Sequence, residues 1–539
     1  MRRLSDPPPT YLFSEQAPAV GVLIGIGFVV GFGALLCLRA ARLRFAWALW
    51  GAPLAYLSWQ FDWRVGLALA WATVIAAGAG FLWHLQDLER GGEDAQRARE
   101  SVGVARWLWS RLRAGRVGER RLLKGRIALG VTTLGTTCWV PFGHSRGVHA
   151  LVLGATGSGK TVTQAAIAQI HILAGLPAIV IDPKGDSALR AVLRDAAERA
   201  GMAFREWSPA GSTIYNPLER GGPTEIADKA LIGQRWTEPH YELATQRLLG
   251  KVLLTMRAGG QWPPTISGIV ANMDPERLDA LATQVGGEVA ENVASYVDGL
   301  SARAKADLGG GRDRLAVLAE GELGPRLDPA LGEGELLSFE RSLREGEVVY
   351  FHLDADRYPA ASKLLAAALV SDLVTLTASL QEGELRGLLV IDEFAALAAA
   401  QVSRLFARAR SAGLSLLLGT QSLADLRGAD PDDPSDAFTE QVFTNVTYTV
   451  VHREADPDSA ERLARMAGTR PSWSVTRRVG RLPAALGGIG EGTRTREREF
   501  EVLPDQIKRL PTGQAVVINP TAKRPAEVVK IWPSENPRR

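Results

Sequence analysis

The chain opens on apolar stretches and then changes rhythm. Residues 19–38 run for twenty positions without a charge, long enough to cross a bilayer as a helix. Residues 65–85 form a second such run, with only His84 near its end. Between them, residues 45–61 are seventeen uncharged positions interrupted by Pro53. Beyond residue 146 the pattern becomes short apolar runs separated by stretches of helical spacing. Strands are expected at 148–153, 178–181, 348–353, 387–391, 414–418 and 446–451, with two short ones at 515–519 and 527–532. Buried strands alternating with helices predict a mostly parallel α/β sheet. Residues 224–337 break the alternation and read as helices at 224–231, 242–257, 275–285 and 288–308.

A chain of 539 residues is too long for one core, so two or three domains are expected. Eight of the fourteen tryptophans (Trp47, Trp50, Trp59, Trp63, Trp71, Trp83, Trp107 and Trp109) fall in the first fifth of the chain. Tryptophan prefers the membrane–water interface, which supports an embedded N-terminal region. A cleaved signal peptide is not expected, because the first apolar run starts late, lacks a small-x-small site and is followed by Arg39, Arg42 and Arg44. Gly21, Gly25, Gly27, Gly31 and Gly33 include small-xxx-small spacings, which either pack helices closely or are ordinary membrane-helix glycines.

Net charge is only +3 and argues for no partner, but its distribution is uneven. Arg106, Arg111, Arg113, Arg116, Arg120, Arg121, Lys124 and Arg126 stand against one acid, Glu119, which marks the cytoplasmic side. This stretch reads first as an anchor on anionic lipid, and second as a guide for nucleic acid. With two spans Arg39, Arg42 and Arg44 lie outside; with three, which the positive-inside rule favours, they lie inside. Within 274–300, Asp274, Glu276, Asp279, Glu288, Glu291 and Asp298 face Arg277 alone. Such a surface repels a phosphate backbone, so the helical region is either a protein-docking module or a solvated face. Two cysteines and seven scattered histidines offer neither a disulfide framework nor a metal site.

The chemistry begins directly behind the run at 148–153. Gly154-Ala155-Thr156-Gly157-Ser158-Gly159-Lys160-Thr161 matches the phosphate-binding loop G-x-x-x-x-G-K-[ST], between a predicted strand and helix where that loop must sit. Its glycines let backbone N–H groups wrap a phosphate; Lys160 reaches the outer phosphates, and the Thr161 hydroxyl ligates Mg²⁺. The strand at 387–391 delivers Asp392-Glu393, a carboxylate for Mg²⁺ and one to orient and deprotonate a water. Gly419-Thr420-Gln421 follows the strand at 414–418, and Gln421 is placed to sense the γ-phosphate. Lys160 and Asp392 are 232 positions apart, so the helical region is an insertion in the nucleotide-binding core.

Together these residues resemble the coupling proteins of type IV secretion and bacterial conjugation, the TraD/TraG class within the FtsK/HerA group. The resemblance covers most of the chain after residue 145. It rests on the phosphate loop, I-D-P-K-G-D at 181–186, Y-N-P-L at 215–218, 349–353 before a helix, I-D-E-F at 391–394 and R-S-A-G at 410–413. It continues with G-T-Q at 419–421, D-P-D-S-A-E at 456–461 and L-P-T-G-Q-A-V-V-I-N at 510–519.

It implies a RecA-like P-loop ATPase domain, an inserted all-helical domain and N-terminal transmembrane helices. The boundaries expected are 1–90 (membrane), 91–145 (basic segment with short strands), 146–223 and 338–535 (the two parts of the nucleotide-binding domain) and 224–337 (insertion). It also implies a homo-hexameric motor at the bacterial inner membrane, multi-pass, with its ATPase domain cytoplasmic. Such a motor uses ATP and Mg²⁺ to pass single-stranded DNA with its relaxase, or another protein substrate, to the secretion channel components. By that resemblance Lys160, Glu393 and Gln421 are catalytic, and Thr161 and Asp392 hold the metal. Arg410 is the finger reaching a neighbouring subunit's ATP, with Arg408 and Arg453 as rivals.

The departure is at the membrane. The family usually shows two spans around a small periplasmic domain, whereas only about 26 residues separate Leu38 from Val65. An FtsK-like translocase would need a C-terminal DNA-reading winged-helix domain, and the roughly 70 residues after Arg470 show none. An ABC-type ATPase would show L-S-G-G-Q, which is absent. A docking receptor with a merely structural ATP site need not keep Lys160, Glu393 and Gln421.

Overall fold

The computed structural model describes residues 17–40, 45–90, 122–123, 125–133, 135–143, 147–232, 236, 238–380, 384–427, 436–477, 492–522 and 524–534. The chain divides into two compact units. One gathers the N-terminal helices with 131–138 and 468–501; the other holds 121–130, 139–467 and 502–539.

In the first unit, α1 (Ala17–Ala40), a 3₁₀ turn (Phe45–Trp50), α2 (Gly51–Phe61) and α3 (Trp63–Arg90) follow one another. Two segments of this unit are long and apolar enough to cross a membrane, Val20–Leu38 and Trp63–Leu85. Large apolar side chains on them stay exposed, Val29 at 70% and Leu82 at 61%, as a lipid-facing surface requires. Gly27 and Gly31 pack α1 against α3. A Cβ at Gly27 would lie 2.7 Å from the Ala68 carbonyl oxygen, and one at Gly31 2.5 Å from that of Ala72. Gly21, Gly25 and Gly33 face open space, so the two readings of the glycines divide between these sets. The middle stretch, expected as a third span, is helical throughout: the 3₁₀ turn runs directly into α2, with Trp50 at φ −67° and ψ −12°. The six residues of 3₁₀ turn and the 11 residues of α2 together rise about 28 Å, close to the thickness of a hydrocarbon core. Thr469–Arg477 and Gly492–Phe500 pair as an antiparallel hairpin. The basic stretch up to Arg121, with Lys124, and residues 478–491 lie outside the described residues.

The second unit is built on a 12-stranded sheet. Its strands are β1 (Leu122–Leu123), β2 (Arg126–Thr132), β3 (Thr137–Pro141), β4 (Ala150–Leu153), β5 (Ala178–Asp182) and β6 (Phe204–Trp207). They continue with β7 (Val348–His352), β8 (Gly387–Ile391), β9 (Leu414–Thr420), β10 (Tyr448–Val451), β11 (Gln514–Ile518) and β12 (Ala526–Ile531). The order is β1-β2-β12-β11-β10-β4-β9-β8-β5-β7-β6, with β3 beside β2. From β10 to β6 every neighbouring pair is parallel, and β11 and β12 continue antiparallel. Every residue of β4, β5, β8 and β9 is buried, which explains their unbroken apolar runs. Leu153 pairs with Thr420, and Ile391 with both Leu418 and Ile181, so these four strands end together along one edge. Ligands of open α/β sheets bind at the carboxyl ends of the strands.

The helices bearing on the argument are α4 (Lys160–Leu173), α5 (Ser187–Ala200), α6 (Pro223–Leu231), α7 (Pro239–Ala258), α8 (Ile266–Asn272), α9 (Pro275–Val285), α10 (Gly287–Asp298) and α11 (Ala302–Ala319). After them come α12 (Phe339–Glu345), α13 (Pro359–Ser379), α14 (Phe394–Ala412), α15 (Ala437–Asn445) and α16 (Pro457–Ala467). Helices α6 to α11 fill the stretch between β6 and β7 where the insertion is expected. The single helix expected at 288–308 is two, because the chain stops at Gly299 and restarts where Ser301 accepts a capping bond from the Ala304 N–H. Helix α13 has the length and hydropathy of a membrane span, yet more than half of it is buried inside the protein. Its apolar residues are spread around the helix because it is a core helix, with Asp372 a buried charge among them.

Candidate active site at the strand ends

The phosphate loop runs from the end of β4 into α4. Gly157 and Gly159 have φ of 76° and 110°, values that favour glycine. Gly154 is required for another reason: a Cβ there would lie 2.5 Å from Ser158 Oγ and 2.6 Å from His452 Cβ. The loop is held from below by distant segments. Gly154 N–H donates to the Thr420 carbonyl at 3.3 Å, Ala155 N–H to that of Arg453 at 3.2 Å, and Gly513 N–H to that of Ser158 at 3.2 Å. The ring of His452 bridges Thr163 Oγ1 (2.8 Å, to Nε2) and the Gln514 carbonyl (3.2 Å, to Nδ1). A carbonyl only accepts, so Nδ1 carries the proton and Nε2 accepts from Thr163. Burial holds this imidazole neutral, its pKa lowered to about 4 against the opposing pull of its backbone hydrogen bonds.

Opposite the loop stand the acids. Lys160 Nζ lies 2.8 Å from Asp392 Oδ1 and 3.9 Å from Glu393 Oε1. Gln164, one turn along α4, donates to Asp392 Oδ1 at 3.3 Å. Gln421 donates to Glu393 Oε1 at 2.6 Å, and its own Oε1 accepts from Thr156 at 3.5 Å. Lys160, Asp392, Glu393 and Gln421, up to 261 positions apart in the chain, therefore meet in one cluster. Thr161, the second residue of α4, follows Lys160 and is partly exposed. Glu393 adopts φ 49°, a left-handed conformation that strains a residue bearing a Cβ.

Lys184 joins this cluster although its residue type alone did not single it out. Its ammonium is 2.6 Å from Glu393 Oε1. The signal was present as the D-P-K-G turn. Buried Asp182 accepts from the N–H groups of Lys184 (2.9 Å), Gly185 (3.0 Å) and Asp186 (2.7 Å), and from the Tyr350 hydroxyl (2.7 Å). The hydrogen bond with Glu393 raises the Lys184 pKa. Burial pushes Glu393 up, but the bonds from Lys184 and Gln421 and the Lys160 charge outweigh it and hold the carboxyl below its ordinary range.

The donor set fits a hard cation. Among the described residues no group of three or more His, Cys, Asp or Glu forms a metal cage. Thr161 and Asp392 offer hydroxyl and carboxylate oxygens, the arrangement of a Mg²⁺ that takes its other ligands from phosphates and water. Arg410 does not enter this cluster. It is exposed at the end of α14, and its Nη2 donates to the Asn445 carbonyl at 2.6 Å. Arg408 and Arg453 are also exposed.

Comparison with known proteins follows the same lines. The family model described as the type IV secretion-system coupling protein DNA-binding domain matches residues 136–531. The bacterial conjugative coupling protein TrwBdeltaN70, in its unbound monoclinic form, superposes with a TM-score of 0.55 at 19% identity, covering 78% of this chain and 93% of that one. The plasmid coupling protein TrwB in complex with ADP and Mg²⁺ gives 0.56 at 20% identity, covering 79% and 94%. Comparison with curated protein sequences gave no match.

Proposed function

The chain belongs to the family of type IV secretion-system coupling proteins, and from that premise we propose that it is the membrane-anchored ATPase of such a system, assembling as a homo-hexamer. It recruits relaxase-bound single-stranded DNA, or a protein substrate, and drives transfer toward the secretion channel by hydrolysing ATP. The observation that carries this reading is the convergence of Lys160, Asp392, Glu393 and Gln421 at the mouth of a phosphate loop.

The backbone amides of 155–159 and Lys160 bind the phosphates, with Lys160 exchanging its Asp392 partner for them. Thr161 and Asp392 hold Mg²⁺, which when bound neutralises charge on the phosphate oxygens. Glu393 accepts the proton of the attacking water, and Gln421 holds both the carboxylate and the water in line. Arg410 of a neighbouring subunit offsets charge developing in the transition state. The apolar surface of α1 and α3, with Trp63, Trp71 and Trp83 on α3, supports anchoring in the inner membrane with the ATPase domain in the cytoplasm.

The test is ATP hydrolysis by the full-length protein in detergent, with and without single-stranded DNA. Wild type is expected to turn over and Lys160→Ala to lose at least roughly a hundredfold in kcat. DNA stimulation supports nucleic-acid cargo, and indifference to DNA points to protein cargo. No hydrolysis under any condition would overturn the motor reading in favour of a receptor.

A further inference from the structure

We propose that Lys184 is a positioning residue for hydrolysis: presented by the D-P-K-G turn, it holds the Glu393 carboxylate in the orientation that receives the proton of water. The inference rests on the ATPase reading and adds to it a residue that the phosphate loop and acidic pair do not include.

Three observations converge. The first is placement. β5 and β8 run parallel with Ile181 opposite Ile391, and the Asp392 N–H donates to the Ile181 carbonyl at 3.1 Å. The turn after β5 is thereby set beside the acidic pair after β8. The second is rigidity. Asp182 takes three backbone N–H bonds and the Tyr350 hydroxyl, while the Leu353 and Ala355 N–H groups donate to the carbonyls of Asp182 (3.0 Å) and Pro183 (2.8 Å). Gly185 turns at φ 73° with its α-carbon so near the His352 ring that any Cβ would overlap it. This scaffold fixes the backbone from which the Lys184 side chain projects. The third is the pattern on the carboxylate. Lys184 at 2.6 Å, Gln421 at 2.6 Å and Lys160 at 3.9 Å all address Oε1 of Glu393. Among the described contacts Oε2 is the oxygen left to face a water.

A stability role is a poor alternative. The Lys184 side chain is 48% exposed, and pairs that open to water contribute little to folding. Its effect belongs in kcat: a carboxylate with one oxygen pinned points the other, and misplacement of a reacting group by about 1 Å costs on the order of a hundredfold.

The experiment measures steady-state ATP hydrolysis by full-length Lys184→Met and Lys184→Arg, together with binding of a non-hydrolysable ATP analogue. Lys184→Met is expected to lower kcat by roughly 10- to 100-fold while KM and analogue affinity stay within about twofold. Lys184→Arg, which keeps a cation over Oε1, is expected to remain faster than Lys184→Met. In a Glu393→Gln background, removing Lys184 is expected to cost nothing further, since the two act as a unit. The inference is overturned if Lys184→Met keeps wild-type kcat, if KM rises while kcat is kept, which would make Lys184 a phosphate ligand, or if the two losses simply multiply. Wild type and Lys160→Ala run alongside separate the failures. Equal rates for those two sink the ATPase reading itself, whereas an active wild type, a dead Lys160→Ala and an active Lys184→Met sink only the role of Lys184.

Discussion

Gly419 sits so close to the Asp392 carboxylate and the Gln164 amide that any added Cβ would overlap both. It lies inside β9 and looks, in the sequence, like the weak spot of a strand; the structure makes it the floor of the acidic pocket. Gly419→Ala is expected to cost about 1–3 kcal/mol from overpacking and to slow hydrolysis at least roughly tenfold. Thermal melts beside ATPase rates check this, and unchanged turnover would show that Asp392 has room to move. The histidines hold a second residue-scale consequence. Burial lowers His149, His171 and His452 to about 4, against backbone hydrogen bonds that pull the other way. The unfolded chain, with these groups near 6.5, therefore binds protons before the folded one does. Stability from burying them neutral is complete above pH 6.5 and is lost as pH falls from 6.5 toward 4. By pH 5.5 each is expected to have cost roughly 1–2 kcal/mol, read as a fall in urea midpoint relative to pH 7.5. A flat midpoint over that interval would refute the assignment.

At the scale of elements, the insertion is tied to the motor by a buried ion pair. Lys229 on α6 and Asp372 on α13 meet at 2.9 Å, with side chains 1% and 3% exposed. The Tyr215 hydroxyl of the Y-N-P-L motif donates to the other Asp372 oxygen at 2.8 Å, and Lys229 also donates to the Arg220 carbonyl at 2.7 Å. Asp372→Ala strands a buried ammonium and is expected to cost about 3–5 kcal/mol, whereas the double change Lys229→Met with Asp372→Leu should recover most of that loss. Equilibrium unfolding of wild type and these two variants distinguishes a pair from two independent contacts. Elements were legible where burial was two-sided, as in β4, β5, β8 and β9. They were illegible where it was not. β6 is only four residues, F-R-E-W, and three of them are half-buried, so no run or alternation marks it. Helix α11 contains Gly309, Gly310 and Gly311, which argue against a helix by propensity. It forms because Leu308, Gly311, Leu315 and Ala319 are buried, with Gly311 set against Thr245 of α7.

For the whole molecule, the decisive question is how often the chain crosses the membrane. Among the described N-terminal helices α1 and α3 hold the segments of spanning length, and we propose two crossings by these, an arrangement in which residues 41–44 would lie outside. The larger basic set, from Arg106 to Arg126, still favours the cytoplasm. Arg44→Cys, in a background without Cys37 and Cys138, is expected to react with an impermeant thiol reagent added to intact spheroplasts. Labelling only after lysis would restore the third span. Taken alone, the sequence determined what neighbouring residues decide: the phosphate loop between strand and helix, the acidic pair behind an apolar run, the apolar N-terminus and the interruption of the core. Contiguous residues carry these because phosphate wrapping, strand burial and bilayer crossing each need one unbroken segment. Only the tertiary structure decided that β4 lies between β10 and β9, that His452 and Gly513 support the loop, and that Lys184 reaches Glu393 across 209 positions. Those contacts depend on strand order and register, which are set by packing between distant segments and leave no local periodicity to read.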